Sequence, residues 1–212
     1  MSDSLSRLLE SGVVAIMRAQ DPEPLVAAAD ALLAGGVSAI EVTMTTPGAL
    51  DVIRAATERY GSDVLFGVGS VLDAETARAA ILAGAGFVVC PVLDLKTIEL
   101  CRRYSVPVIP GAFTPTEVIT AWEAGADIVK LFPAGLGGPS LVKAILAPLP
   151  QVRLIPVGGV NLDTAAAFVQ AGAVGLGVGS SLVNQKLLDD GDFAEITSRA
   201  RKFREAFSTT KA

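Results

Sequence analysis

Eight short apolar segments recur along the 212-residue chain, each beginning roughly 20 to 26 residues after the one before it. This spacing leaves room for one helix and two short loops between consecutive strands. The strand candidates lie at residues 13–18, 39–44, 65–70, 87–92, 106–112, 128–133, 153–158 and 174–179. The pattern predicts an α/β fold in which residues 1–212 form a single-domain (β/α)₈ barrel (TIM barrel). A doubly wound sheet is the alternative, because the sequence does not show whether the sheet closes.

Glycine and proline mark the boundaries of the segments between these strands. Helix-like segments separate the strands, and a further one follows at residues 192–207. We predict that glycine ends four helices, at Ala34-Gly35, Ala83-Gly84, Ala124-Gly125 and Ala171-Gly172. We predict that a polar residue and a proline start three helices, at Asp21-Pro22, Thr46-Pro47 and Thr114-Pro115. Thr114 and Glu117 have the spacing of a capping box.

The composition excludes several classes of protein. Apolar residues make up 51% of the chain and charged residues 18%, which is not the composition of a disordered protein. The net charge of −5 offers no basic surface for nucleic acid. No apolar run reaches the ~18 uncharged residues that a membrane span needs, and residues 1–10 lack the apolar stretch of a secretory signal. We therefore expect a cytoplasmic protein without nucleic-acid or membrane partners, in which Cys90 and Cys101 are reduced packing residues.

Lys130 lies within an apolar strand candidate, where lysine is unusual. Burial of an ammonium group is costly or removes its proton, so lysine is rarely enclosed without a function. A neutral amine in a dry pocket is a nucleophile toward carbonyl groups. The alternative is a lysine at the end of a strand whose charge extends into water.

The alternation of side chains along a strand gives Lys130 a partner. In the second predicted strand, Ile40 and Val42 share the face expected to meet the helices, so Glu41 and Thr43 point inward. Lys130 points inward by the same alternation. The second and sixth strands of an eight-stranded ring lie opposite each other, so we expect the carboxylate and the amine to face one cavity. A structural ion pair would use the same two residue types and is the alternative.

Glycine-rich loops follow the last two predicted strands. Gly158-Gly159 follows the seventh strand, and Gly179-Ser180 follows the eighth. In many barrels the phosphate site lies in these loops, where backbone N–H groups and a short helix bind an anion. The sequence thus indicates a phosphate site, with plain tight turns as the alternative.

The chain contains no histidine. Histidine is the commonest ligand of catalytic zinc and the commonest general base, so zinc-assisted aldol chemistry and histidine-based epimerisation are disfavoured. Lys130, Glu41 and hydroxyl groups are left to carry the chemistry, and that combination suits an imine mechanism.

Six segments together resemble the 2-keto-3-deoxy-6-phosphogluconate (KDPG) aldolase family, whose relatives include 6-phosphogalactonate and 4-hydroxy-2-oxoglutarate aldolases. The resemblance extends from about Val13 to Leu182, and Lys-Leu-Phe-Pro-Ala is its most specific part. The segments are Glu41-Val-Thr, Gly67-Val-Gly-Ser-Val, Val108-Ile-Pro-Gly-Ala, Val129-Lys-Leu-Phe-Pro-Ala, Pro156-Val-Gly-Gly-Val and Gly177-Val-Gly-Ser-Ser.

The resemblance implies a class I aldolase that uses no metal and no cofactor and forms pyruvate and glyceraldehyde 3-phosphate. It implies a homotrimer, with Lys130 as the Schiff-base lysine and Glu41 as the general acid/base. The expected substrate-binding residues are Arg18, Thr43, Thr45, Gly69, Ser70, Pro91 and Phe132. The expected phosphate-binding residues are Gly158, Gly159, Gly179 and Ser180.

One position departs from the family pattern. Many members have an arginine four residues after the catalytic glutamate, used for the substrate carboxylate, and here that position is Thr45. The carboxylate would then depend on Ser70, backbone N–H groups and Arg18, which leaves the identity of the sugar acid open. An isomerase or epimerase of a phosphorylated sugar on the same barrel is the alternative enzyme, and a non-catalytic sugar-phosphate-binding module is a third hypothesis.

Overall fold

The computed structural model describes residues 3–211, in which short parallel strands alternate with α-helices. The strands are β1 (Val13–Met17), β2 (Ala39–Thr43), β3 (Leu65–Gly69), β4 (Val88–Val89), β5 (Val108–Ile109), β6 (Gly111–Ala112), β7 (Val129–Leu131), β8 (Leu154–Pro156) and β9 (Leu176–Val178). The helices are α1 (Asp3–Ser11), α2 (Leu25–Ala34), α3 (Ala49–Tyr60), α4 (Ala74–Leu82), α5 (Leu95–Arg103), α6 (Pro115–Glu123), α7 (Gly138–Leu146), α8 (Leu162–Gln170), α9 (Gln185–Asp189) and α10 (Phe193–Lys211). A single 3₁₀ turn, Ala134–Leu136, follows β7.

The strands form two parallel sheets. The larger sheet has the order β5-β4-β3-β2-β1-β9, and the smaller has the order β6-β7-β8. The predicted strand at 106–112 is therefore wrong as a single strand, because Pro110 divides it into β5 and β6. Proline has no N–H to donate to a ladder, and at this residue the pairing changes from β4 to β7. A separate parallel bridge joins Val157, just after β8, to Gly177 in β9.

The two faces of the strands pack into two separate apolar clusters. Ile40 and Val42 belong to the cluster between strands and helices, as the alternation predicted. Ile128 and Ala39 belong to the second cluster, on the opposite face of the strands. This arrangement confirms the predicted directions of the side chains in β2 and β7, and it places Glu41 and Lys130 on the face that carries the second cluster.

Helix α1 was not predicted, although it completes the second cluster. Its Leu5 and Leu8 pack there with Ala39 and Leu65, the first residues of β2 and β3. The helix therefore covers the amino-terminal ends of the strands. The opposite ends stay open for a site.

The predicted helix boundaries hold at most positions. Gly84, Gly125 and Gly172 each have a positive φ directly after a helix, as predicted. At the first boundary the positive φ belongs to Gly36 instead of Gly35.

The predicted helix starts hold at one of three sites. The capping box of Thr114 and Glu117 is confirmed, with Pro115 in the first turn. The other two starts are wrong. Asp21 accepts a hydrogen bond from Glu23 N and forms a local turn before α2. Oγ1 of Thr46 accepts a hydrogen bond from Ala19 N, which lies in the loop after β1, so it does not cap α3.

Cys90 and Cys101 are free and buried, which confirms that they are reduced packing residues. Burial raises the pKa of each thiol to about 12, so both are uncharged at neutral pH. Within residues 3–211, no helix combines the length and the apolar character that crossing a membrane requires.

We predict that Thr114→Ala lowers the free energy of unfolding by about 1 kcal/mol, because the amide of Glu117 loses its side-chain acceptor. Thr116→Ala is the matched control, since the side chain of this exposed threonine in the same turn forms no hydrogen bond with any described residue. Urea titration of both variants checks the difference. Equal stability of the two variants would contradict the role of the cap.

Candidate active site

A cavity of about 710 Å³ opens at the carboxyl-terminal ends of the strands. Most of the predicted site residues line it: Arg18, Glu41, Thr45, Ser70, Pro91, Lys130, Phe132, Gly158, Gly159, Gly179 and Ser180. Their segments follow or belong to β1, β2, β3, β4, β7, β8 and β9. The fold thus brings to one space residues that are up to 162 positions apart, from Arg18 to Ser180.

Lys130 and Glu41 are held rigidly by their strands. Lys130 lies in β7 between Gly111 and Ile155, and its backbone N donates to Pro110 O at 2.9 Å. Only 6% of Lys130 and 2% of Glu41 is exposed. Lys130 therefore does not extend into bulk solvent.

The amine and the carboxylate do not form an ion pair. Among the described residues, every salt bridge lies elsewhere, and neither side chain takes part in a hydrogen bond. Every side-chain nitrogen or oxygen that is fully enclosed within residues 3–211 does have a hydrogen-bond partner. The unbonded ends of Lys130 and Glu41 therefore reach the cavity, where a ligand or water can contact both.

Burial dominates the electrostatics of Glu41. It raises the pKa of the carboxyl group from an ordinary value of 4.5, and the charges of Lys130 and Arg18 offset only part of this rise. A carboxyl group shifted in this direction can exchange protons closer to neutral pH than an exposed one.

Phe132 forms an apolar wall beside the amine. Nζ of Lys130 lies 4.9 Å from the centroid of the Phe132 ring. Phe132 is 36% exposed and lines the cavity, so it separates Lys130 from part of the solvent.

Two predicted residues support the site without lining the cavity. A Cβ atom on Gly69 would lie 1.7 Å from Oε1 of Glu41, so the carboxylate occupies the space that a side chain at 69 would fill. Thr43 is buried, and its Oγ1 lies 2.9 Å from Oγ1 of Thr45, within hydrogen-bonding distance. Gly69 therefore makes room for Glu41, and Thr43 orients Thr45.

The backbone conformation after β8 requires glycine at two positions. Gly158 and Gly159 have φ values of 80° and 85°, and Gly158 O accepts a hydrogen bond from Gly135 N at 2.7 Å. A Cβ atom on Gly159 would lie 2.7 Å from Cα of Gly135. The tight-turn interpretation therefore holds for this pair, although both residues also line the cavity.

Gly179 differs, since a Cβ atom there would have no neighbour within 4 Å. Nothing in the packing requires glycine at this position, and the free space beside it belongs to the cavity.

Arg18 is exposed at the end of β1 and turns one face to the cavity. Within the described chain its guanidinium forms no hydrogen bond or ion pair, so all of its donors are available. Ser70, at the end of β3, has a left-handed backbone with φ of 58°, an uncommon conformation for serine.

Sequence reasoning missed several polar residues of the wall. Gln20, Ser181, Asn184 and Gln185 all line the cavity. A helix-start signal could have found the last two, because Asn184 accepts a hydrogen bond from Leu187 N and caps α9. The side chain of Gln185 meets the loop after β1 only through the tertiary fold.

Comparisons with known proteins agree with this arrangement. A family model described as "Aldolase: KDPG and KHG aldolase" matches residues 5–199. A 2-dehydro-3-deoxy-phosphogluconate aldolase of Treponema pallidum (strain Nichols) is 37% identical over 201 residues, which cover 94% of each chain. A 2-dehydro-3-deoxy-6-phosphogalactonate aldolase of Escherichia coli (strain K12) is 35% identical over 171 residues, covering 80% of this chain and 83% of its own.

A solved structure extends the likeness to the fold. The KDPG aldolase from Legionella pneumophila, with pyruvate captured as a covalent carbinolamine intermediate, matches with a TM-score of 0.87 at 26% identity. The match covers 94% of this chain and 97% of that one. The sequence matches and this structural match together show that the chain belongs to the KDPG and KHG aldolase family.

Proposed function

We propose that this protein is a class I aldolase that cleaves a 2-keto-3-deoxy-6-phospho sugar acid to pyruvate and glyceraldehyde 3-phosphate. KDPG and its galactonate-derived epimer are the candidate substrates, and 4-hydroxy-2-oxoglutarate is a third. The observation that carries the proposal is the enclosed, unpaired amine of Lys130, which faces the same cavity as the carboxyl group of Glu41. The pyruvate carbinolamine captured in the Legionella relative is the first covalent intermediate of this chemistry.

The reaction begins at Lys130. The lone pair of Nζ attacks C2 of the keto acid to form a carbinolamine. The protonated Glu41 carboxyl group, through a water molecule, supplies the proton with which the C2 hydroxyl leaves as water, which gives a protonated imine and a Glu41 carboxylate. Glu41, acting through a water molecule, accepts the proton of the C4 hydroxyl as the C3–C4 bond breaks. The bonding electrons move to the imine nitrogen, which leaves an enamine and releases the aldehyde. Glu41 then returns a proton to C3, and hydrolysis of the imine frees pyruvate and the amine.

The substrate carboxylate is bound by Arg18 and Ser70 in this proposal. Arg18 and Lys130 are the cations that line the cavity within the described residues. Because Thr45 is neutral, Arg18 supplies the charge that an arginine at that position would bring. Pro91 and Phe132 form apolar contacts with the carbon chain.

The phosphate group is bound by Gly158, Gly159, Gly179 and Ser180. These residues line one part of the cavity, in the loops after β8 and β9. Backbone N–H groups and the serine hydroxyl donate to an anion there, and the open space beside Gly179 gives it room.

We further propose that residues 1–212 form one domain in which the strands close into an eight-stranded ring. The bridge between Val157 and Gly177 supports closure on one side. On the other side, Pro110 is the one residue between β5, which pairs with β4, and β6, which pairs with β7, so the two sheets adjoin there. Closure places β2 and β7 opposite each other, which explains why Glu41 and Lys130 share a cavity without touching.

We propose a cytoplasmic homotrimer. Large apolar side chains are exposed near the carboxyl-terminal ends of neighbouring strands, where a second copy of the chain can cover them: Leu72, Val92, Leu95, Phe113 and Leu136. The reduced, buried cysteines are consistent with the cytoplasm.

Incubation with pyruvate and borohydride tests the proposed chemistry. We expect a reduced pyruvate adduct on Lys130, and we expect Lys130→Met to lose both the adduct and turnover. Lys143→Met is the control, because Lys143 is exposed on α7 and should leave trapping unchanged. Absence of an adduct in the wild-type protein would exclude the aldolase and favour an isomerase.

Glu41→Gln should lower kcat by roughly 10²–10⁴-fold, since proton transfer by a positioned group contributes about that much. Steady-state kinetics with a KDPG substrate, coupled to detection of pyruvate, measures this loss. A Glu41→Gln enzyme with wild-type kcat would remove Glu41 from the mechanism.

The same variant should change how stability depends on pH. Because the folded-state pKa of Glu41 is raised, the native protein holds this proton at pH values where the unfolded chain has lost it. The contribution of Glu41 to stability is therefore full below pH 4.5 and declines as pH rises through the raised pKa. Thermal unfolding across this range should show Glu41→Gln gaining stability relative to wild type as pH rises. A constant difference would contradict the raised pKa.

Gly179→Ala tests the phosphate site. A methyl group here meets no protein atom, so the fold should tolerate it, but it takes space that the phosphate needs. We expect KM for a phosphorylated substrate to rise roughly tenfold, the equivalent of mild overpacking. Trapping of pyruvate, which has no phosphate, should be unchanged and serves as the control. An unchanged KM would place the phosphate elsewhere.

A further inference from the structure

The loop after β1, which carries Arg18, is held by side chains from both neighbouring strands. Ala19 N donates a hydrogen bond to Oγ1 of Thr46 at 3.3 Å, and Gln20 N donates one to Oε1 of Gln185 at 3.2 Å. Thr46 follows β2 and Gln185 lies beyond β9, and these are the two strands that flank β1 in the sheet. The two backbone amides directly after Arg18 are thus anchored from opposite sides.

The side chain of Gln185 is oriented by a second hydrogen bond. Its Nε2 donates to Oδ1 of Asp189 at 2.7 Å. A carboxylate only accepts hydrogen bonds, so the NH₂ end of the amide faces Asp189 and the oxygen end is left for Gln20 N. Asp189 therefore determines which end of Gln185 contacts the loop.

Thr46 is fixed by its own backbone. Its N donates to Thr43 O at 2.9 Å, its O accepts from Ala49 N at 3.2 Å, and only 2% of the residue is exposed. The hydroxyl thus has a fixed position from which to receive the Ala19 amide. This contact gives Thr46 a role in the tertiary structure in place of the helix cap that the sequence suggested.

Arg18 needs such an anchor because none of the described residues holds its side chain. The guanidinium has no partner within the described chain, and a free arginine loses considerable rotamer freedom when it binds a ligand. Fixing the backbone just after Arg18 limits the positions that the guanidinium can reach. Less conformational entropy is therefore lost when the arginine binds a ligand.

We propose that Thr46 and Gln185 are positioning residues that clamp the loop after β1 and thereby aim Arg18 at the carboxylate of the keto acid. This inference rests on the proposed aldolase function, and it assigns a substrate-specific role to two side chains that lie outside the reacting groups.

Four variants test the clamp. Thr46→Val and Gln185→Met each remove one acceptor at nearly constant shape, and their double variant removes both. Thr46→Ser keeps the hydroxyl and is the matched control.

The pyruvate concentration that gives half-maximal borohydride trapping should rise roughly tenfold in each variant that lacks an acceptor, which is below the ~100-fold cost that a 1 Å misplacement can carry. Trapping at saturating pyruvate should stay complete, and Thr46→Ser should behave as wild type.

A titration that needs no turnover separates this inference from the proposed function. Glu41 lies near Lys130 and Arg18, with the Cys90 thiol in range, and the charge of Arg18 lowers its pKa. ¹³C NMR of the Glu41 carboxyl carbon should therefore give a higher pKa in Thr46→Val than in wild type, in the same direction as Arg18→Met. Thr46→Ser should restore the wild-type pKa.

Different results would contradict the aldolase proposal and the proposed clamp by Thr46 and Gln185. If wild-type protein forms no pyruvate adduct, the aldolase proposal fails and the Glu41 titration still decides the clamp. If the variants that lack an acceptor lower only the melting temperature and leave half-saturation and the Glu41 pKa unchanged, the clamp is overturned. A Thr46→Ser variant as impaired as Thr46→Val would overturn it as well.

Discussion

Keeping a buried acid and a buried amine apart is the constraint on which the rest of this structure depends. An isolated ionised group inside a protein costs several kcal/mol in lost hydration, and a direct ion pair would recover part of that cost. Glu41 and Lys130 do not form that pair, although each is almost fully enclosed. Their polar ends face a shared cavity instead, so a keto acid and a water molecule can occupy the space between them.

The sheet provides this separation through the rigidity of its strands. Both residues lie inside parallel ladders, so a change in the distance between their backbones would require a shift of whole strands. Gly69 on the strand next to Glu41 leaves the space that the carboxylate occupies, and Phe132 shields the amine. Helix α1 closes the amino-terminal end of the strands with Leu5 and Leu8. Access to the pair is thereby left to the loops at the opposite end.

The sequence was enough to predict the features that follow from local chemistry. Side-chain alternation placed Glu41 and Lys130 on the correct face, and the spacing of Thr114 and Glu117 identified a real capping box. The sequence was not enough to predict the hydrogen-bond partners of residues that contact distant parts of the chain. Thr46 has the local signature of a helix cap, yet its hydroxyl serves a neighbouring loop. The contact of Gln185 with Gln20 spans 165 residues and leaves no trace in either local sequence.

The most direct test is a crystal structure of the protein after pyruvate and borohydride treatment. We predict continuous density from Nζ of Lys130 to C2 of a reduced pyruvate, with a water molecule between the adduct and the Glu41 carboxyl group. We also expect the pyruvate carboxylate within hydrogen-bonding distance of Arg18. A structure in which Lys130 carries no adduct and donates directly to Glu41 would contradict the proposed imine chemistry.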